Sequence, residues 1–261
     1  DGVGTPPPRG STDPRPTLER FISSCWDVGL EIGSSVRTIE ECAVEAARDV
    51  TVQTALLESR HVTGSKKLFV ALRERLAKDM DPRTFLRAKV LEMRQRHTKY
   101  SDTPYSLEPN CKESPGGLRD LQILLWVARA AGLGRSWAEL GAKGLVTPFE
   151  VKQLQRNESV LKMIRARLHV VAGRREDRLV FDLQTVIAES FGFKPLKGQR
   201  VSEQLMRRYY WAAKAVVQLN QVLLLNIEEH IAGESAPPMR RLNEHFFDRG
   251  GMIEVASDDL Y

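Results

Sequence analysis

Residues Leu107 to Asp120, LEPNCKESPGGLRD, bring three carboxylates, a lysine, an arginine, a thiol, a hydroxyl and two adjacent glycines into one short stretch. Pro109 and Pro115 fix φ and remove amide donors, whereas Gly116 and Gly117 permit positive φ or a close backbone approach. The apolar-rich run from Leu121 to Val127 then reads as a helix. A helix that starts after Gly-Gly points backbone N–H groups at its own N-terminus, which suits an anion, and Arg119 adds a planar donor fork for phosphate or carboxylate. Lys112, Ser114, Gly116, Gly117 and Arg119 are therefore the candidate anion-binding residues. The same pattern also fits a tight turn capped by Ser114 or Asp120.

This segment resembles the signature region of the bacterial PII uridylyltransferase/uridylyl-removing enzymes, nitrogen sensors that carry a polymerase-β-type nucleotidyltransferase domain. Further segments match that family in the same order: Cys25–Gly33 (CWDVGLEIG), Ser35–Thr38 (SVRT), Glu40–Cys42 (EEC), Leu56–Arg60 (LLESR) and Asn220–Leu224 (NQVLL). The resemblance runs from about Leu18 to Tyr261.

The resemblance implies transfer of a uridylyl group from UTP to a tyrosine of the PII signal protein, with Mg²⁺ ions held by paired carboxylates. By the same analogy Lys112, Ser114, Gly116, Gly117 and Arg119 face the nucleotide triphosphate or organise the interdomain hinge, and Tyr105 could stack on a base. The superfamily's Gly-Gly or Gly-Ser turn leading into an Asp-x-Asp strand is missing; Gly33-Ser34 leads instead into Ser35-Val36-Arg37-Thr38. Glu58 is the candidate for the superfamily's third catalytic and metal-binding carboxylate, with Asp49 as its rival and an ion pair to Arg60 or Arg37 as the plain structural role for Glu58. The chain thus reads as an internal fragment without appreciable transferase activity. The alternative is a non-catalytic helical module that docks a regulatory protein.

Composition points to a cytoplasmic protein. No run of about eighteen apolar residues is present to span a membrane, and the N-terminus does not resemble a signal peptide. Three widely spaced cysteines, Cys25, Cys42 and Cys111, have no zinc spacing and read as reduced thiols. The five histidines lack the spacing of a metal site or triad, and His169 reads as a core-edge residue. A formal net charge of +5 arises from 39 basic and 34 acidic side chains, mostly interleaved. The exception is 83–99, with Arg83, Arg87, Lys89, Arg94, Arg96, His97 and Lys99 against Glu92. No recognition motif or stacking platform accompanies that charge, so an acidic partner or a nucleotide fits it better than nucleic acid.

The expected fold is mainly α, a helical bundle preceded by an α+β remnant of a nucleotidyltransferase domain. The expected organisation is a linker at 1–17, the end of that domain at 18–64, a helical domain at 65–235 and a hairpin-like segment at 236–261. Strands are expected at 30–37 and 56–62. Helices are expected at 18–28, 39–47, 66–79, 83–100, 118–131, from Thr147-Pro148 to about 172, and from about 201 to 231. The last carries Leu205, Tyr209, Ala212, Val216, Leu219, Leu223 and Ile227 at core spacing. Phe246 to Val255 reads as a hairpin turning at Gly250-Gly251.

Overall fold

The computed structural model describes residues 15–30, 32–233, 240–243, 246–249 and 252–255. Among the described residues ten helices come first: α1 (Arg15–Asp27), α2 (Ile39–Arg48), α3 (Val50–Leu57), α4 (Lys66–Asp79), α5 (Pro82–Lys99), α6 (Leu118–Ala130), α7 (Trp137–Ala142), α8 (Pro148–Ala172), α9 (Phe181–Ser190) and α10 (Val201–Ala232). A small antiparallel sheet follows, in the order β1 (Arg240–Arg241), β2 (Phe246–Arg249), β3 (Met252–Val255). The protein is thus mainly α with a minor β element.

Several helix ends follow from local chemistry. Thr38 and Glu41 form a reciprocal capping box at α2, and Thr147 and Glu150 form another at α8. Asp81 accepts the N–H groups of Arg83 and Thr84 at the start of α5, where Pro82 occupies the first turn. Gly173, at φ 64°, ends α8 in the left-handed conformation that glycine tolerates best.

The core belongs to α5–α10. The long α10 packs against α8, α9, α6 and α5, and its expected stripe from Leu205 to Ile227 is buried. It shares one buried core with Phe85 of α5, Leu121 and Leu124 of α6, Leu154, Leu161, Ile164 and Leu168 of α8, and Ile187 of α9. Burying one such side chain contributes about 2 kcal/mol. The N-terminal helices are packed more thinly: α4 has no buried residue, and α1 leaves Phe21 and Trp26 exposed.

Two strand expectations are corrected. Among the described residues of 30–37 no strand forms. Leu56 and Leu57 finish α3, with Glu58 as its C-cap in helical conformation, so the expected strand at 56–62 is absent. Seven half-apolar residues fit the end of a helix as well as a strand, and the N-cap at Asp49 tips the balance by starting a helix just upstream. The hairpin forms at 246–255, pairing Phe246 with Val255 and Arg249 with Met252, while Gly250 and Gly251 lie outside the described residues. Residues 15–17, expected within the linker, open α1. Helices α7 and α9 were not expected from sequence.

Candidate functional site

The loop before α6 is held together from within. Asn110 Oδ1 accepts the N–H groups of Lys112 (3.0 Å) and Glu113 (2.8 Å), and Ser114 Oγ accepts that of Asn110 at 2.9 Å. Cys111 N donates to Asp177 O at 2.7 Å, Ser114 N to Asn110 O at 3.1 Å and Gly117 N to Ser114 O at 2.8 Å. Leu118, Arg119 and Asp120 donate to the carbonyls of Cys111, Lys112 and Gly117. Gly116 N donates to the Asp120 carboxylate at 2.7 Å. Every backbone N–H from Asn110 to Asp120 is therefore spent inside the protein, Pro115 having none.

Asp120 is the hub. Its carboxylate, fully buried, also meets His97 Nε2 at 3.0 and 3.1 Å and forms an ion pair with Arg96, both from α5. Asn220 of α10 donates to the Asp120 carbonyl at 3.0 Å. Burial alone would raise the Asp120 carboxyl, but the His97 hydrogen bond and the Arg96 charge outweigh it and hold the group below the usual carboxylate range. The negative charge that the α6 N-terminus favours is thus supplied by the protein itself.

Gly116 explains the glycine pair. Its φ is 75°, and a Cβ there would lie 2.2 Å from the Ala213 carbonyl oxygen of α10. Gly117 is the N-cap of α6, where a Cβ would meet the carbonyl oxygens of Lys112 and Ser114 at 2.8 Å. The loop is also sewn to its surroundings by Tyr210 Oη donating to Ser106 O, Gln184 Nε2 to Leu107 O and Leu179 N to Pro109 O.

A second aspartate repeats the arrangement. Asp177 accepts from Arg165 Nε at 2.5 Å and pairs with His169 Nε2 at 3.1 Å, both from α8. Burial pushes its carboxyl up, and the Arg165 and His169 contacts outweigh that and hold it low. Sequence spacing concealed both His–Asp pairs: His97 and Asp120 meet only through the packing of α5 on α6, and His169 meets Asp177 because the segment after α8 turns back along that helix. His169, read as a core-edge residue, is half-buried and serves Asp177.

The sequence candidates divide accordingly. Ser114, Gly116 and Gly117 are buried parts of the loop. Lys112 and Arg119 are half-buried and converge on Glu113 at 3.2 and 3.3 Å, while Arg119 also stacks over Trp126 at 5.2 Å. Burial would raise the Glu113 carboxyl, but the Arg119 charge and the Lys112 hydrogen bond hold it low. Tyr105 stays exposed and its ring lies 5.7 Å from that of Tyr210. Of the basic residues on α5, Lys89 is buried over Trp126, Arg96 and His97 turn to Asp120, and Arg83 donates to the carbonyls of Ile231 and Ala232. Arg87, Arg94 and Lys99 remain exposed.

Glu58 and Asp49 sit elsewhere. Asp49 caps α3, its Oδ1 accepting Thr51 N at 2.6 Å, and Glu58 is exposed at the other end of the same helix, within electrostatic reach of Arg129. Nine residues at about 1.5 Å rise put them roughly 13 Å apart, too far to share a Mg²⁺ ion whose ligands lie near 2 Å. No group of three or more His, Cys, Asp or Glu able to hold a metal occurs among the described residues. These carboxylates alone do not fit a Mg²⁺ centre. The loop and Glu58 also lie toward opposite ends of α6, since Arg119 and Arg129 are separated by roughly 15 Å along its axis.

The sequence model for the GlnD PII-uridylyltransferase matches residues 84–224, more than half of the chain. The chain belongs to the GlnD PII-uridylyltransferase family. The matched region takes in most of α5, the 107–120 loop and α6 through most of α10, and leaves out Asp49 and Glu58. The chain is 64% identical over 244 residues to a bifunctional uridylyltransferase/uridylyl-removing enzyme of Cupriavidus pinatubonensis, covering 94% of this chain and 28% of that protein. Enzymes of the same name from Cupriavidus metallidurans and Burkholderia thailandensis are 60% and 59% identical, over 94% of this chain and 28% and 29% of theirs. The chain thus spans under a third of the length of these GlnD-family relatives. No solved structure matches it. Among the described residues, no helix is long and apolar enough to cross a membrane.

Proposed function

We propose that this chain is the helical section of a uridylyltransferase that moves a uridylyl group from UTP to a tyrosine of the PII protein in nitrogen signalling, with Mg²⁺ bound by other parts of that enzyme. The observation that carries this reading is the 64% identity spread over 94% of the chain. The section has no transferase activity of its own, because its sequence lacks a Gly-Gly or Gly-Ser turn leading into an Asp-x-Asp strand, Asp79-Met80-Asp81 lying instead between the helices α4 and α5, and its two candidate carboxylates cannot share an ion. Part of its contribution is mechanical: the 107–120 loop clamps α5, α6 and α10 into one unit and so organises the interdomain hinge. Of the five loop candidates, Lys112 and Arg119 are the ones whose side chains carry charge toward a nucleotide in the assembled enzyme.

A second reading, a non-catalytic module that docks the PII protein, is favoured by the separation of Glu58 from the loop and by the exposed Arg87, Arg94 and Lys99. One assay covers both. The purified chain is mixed with UTP, Mg²⁺ and PII protein beside a full-length relative, and label transfer is read together with complex formation. Transfer by the relative alone is expected; transfer by this chain would overturn the assignment of catalysis to other parts. A complex without transfer would favour docking.

A further inference from the structure

The opposite end of α6 opens onto a cavity of about 590 Å³, a size within the usual range for small-molecule sites. Its floor is apolar, built from Ala43 and Ala46 of α2, Leu56 and Leu57 of α3, and Leu76 and Met80 at α4 and its end. Its rim carries Arg73, Arg129, Arg135 and Lys143 against Asp79 and Glu139.

The two acids are already engaged. Asp79 pairs with Arg75 at 2.7 Å, and Glu139 accepts from Arg135 N at 3.0 Å and Ser136 Oγ at 3.2 Å. Lys143 donates to Gly132 O at 2.7 Å. Among the described residues, the guanidinium groups of Arg73, Arg129 and Arg135 make no ion pair or hydrogen bond; Glu58 acts on Arg129 from outside the lining. Burial first, and after it the neighbouring Arg135 and Arg73, push the Arg129 pKa down. The α6 C-terminus favours one cation there, but not three.

We infer that this cavity binds a small organic anion, its phosphate or carboxylate head held by Arg73, Arg129 and Arg135 and its apolar body seated on the alanine and leucine floor. Guanidinium forks match both head groups, and three of them left unpaired beside an apolar recess complement such a ligand in charge and in shape. The site is distinct from the 107–120 loop and does not rest on the transferase reading.

The probe is 8-anilinonaphthalene-1-sulfonate, an anionic head on an apolar body, titrated by fluorescence into the whole chain. Saturable binding at one site is expected, weakened about tenfold or more in Arg129→Gln and in Arg135→Gln, and unchanged in Arg119→Gln at the other end of the helix. Circular dichroism of each variant separates lost binding from lost fold, and Arg129→Lys should restore part of the affinity by returning the charge without the fork. Competition by UTP or inorganic phosphate identifies a phosphate-bearing ligand, and competition by succinate identifies a carboxylate-bearing one. Displacement by none of these, or equal affinity in the folded Arg129→Gln variant, overturns the proposal.

Discussion

The two ends of α6 are opposites. At its N-terminus, where a helix ordinarily offers free N–H groups to an anion, every donor is consumed and Asp120 supplies the negative charge from within. At its C-terminus, where an anion is not expected, three arginines stand around an open recess with no hydrogen bond or ion pair among the described residues. Helix polarity alone would assign these roles the other way round. What decides between closed and open is which side chains other helices deliver: α5 brings Arg96 and His97 to the first end, and α4 brings Arg73 to the second.

If that contrast is right, the closed end is costly to disturb and the open end is not. Asp120→Ala removes the buried acceptor of Arg96, His97 and the Gly116 N–H, leaving Arg96 only Glu113, and should cost about 3–5 kcal/mol in urea unfolding. Gly116→Ala combines a backbone clash with α10 and a positive φ, and should cost about 3 kcal/mol by the same measurement. Asp177→Ala, at the more accessible of the two Asp–Arg–His clusters, should cost about 2 kcal/mol. Arg129→Gln should change stability by no more than about 0.5 kcal/mol, because among the described residues the arginine makes no hydrogen bond or ion pair and Glu58 acts on it only at a distance.

The pH dependence sharpens the same comparison. Asp120 and Asp177 have carboxyl pKa values below those of the unfolded chain, so the unfolded state takes up protons first as pH falls. Their contribution is fully present above the unfolded value of about 3.9 and is lost as pH drops through the lower folded values. Equilibrium unfolding followed from pH 6 to pH 2.5 should therefore show a loss of stability concentrated below about pH 4. Asp177→Asn should flatten that fall, whereas Arg129→Gln should leave its shape unchanged.

Much of this was legible in the sequence, for local reasons. Asp81-Pro82, Thr147-Pro148 with Glu150, and the spacing from Leu205 to Ile227 mark helix ends and faces through contacts a few residues apart. The special status of 107–120 was visible too, because two prolines and two glycines have no place inside a helix. The purpose of the loop was not visible. Asp120 meets His97 and Arg96 across more than twenty residues and Asn220 across a hundred, separations that carry no periodic signal. Gly116 reads equally well as a turn for phosphate or as a place where α10 passes close by. The cavity at the other end takes residues from α2, α3, α4 and the α6–α7 region, so no single stretch announces it.

Gly116 and Gly117 report on one end of α6, and Gly132 and Gly134 line the cavity at the other, so one amide NMR titration reads both. With 8-anilinonaphthalene-1-sulfonate added to the ¹⁵N-labelled chain, the account predicts shifts at Gly132 and Gly134 with Gly116 and Gly117 unmoved. Shifts at Gly116 and Gly117 with Gly132 and Gly134 unmoved would contradict it.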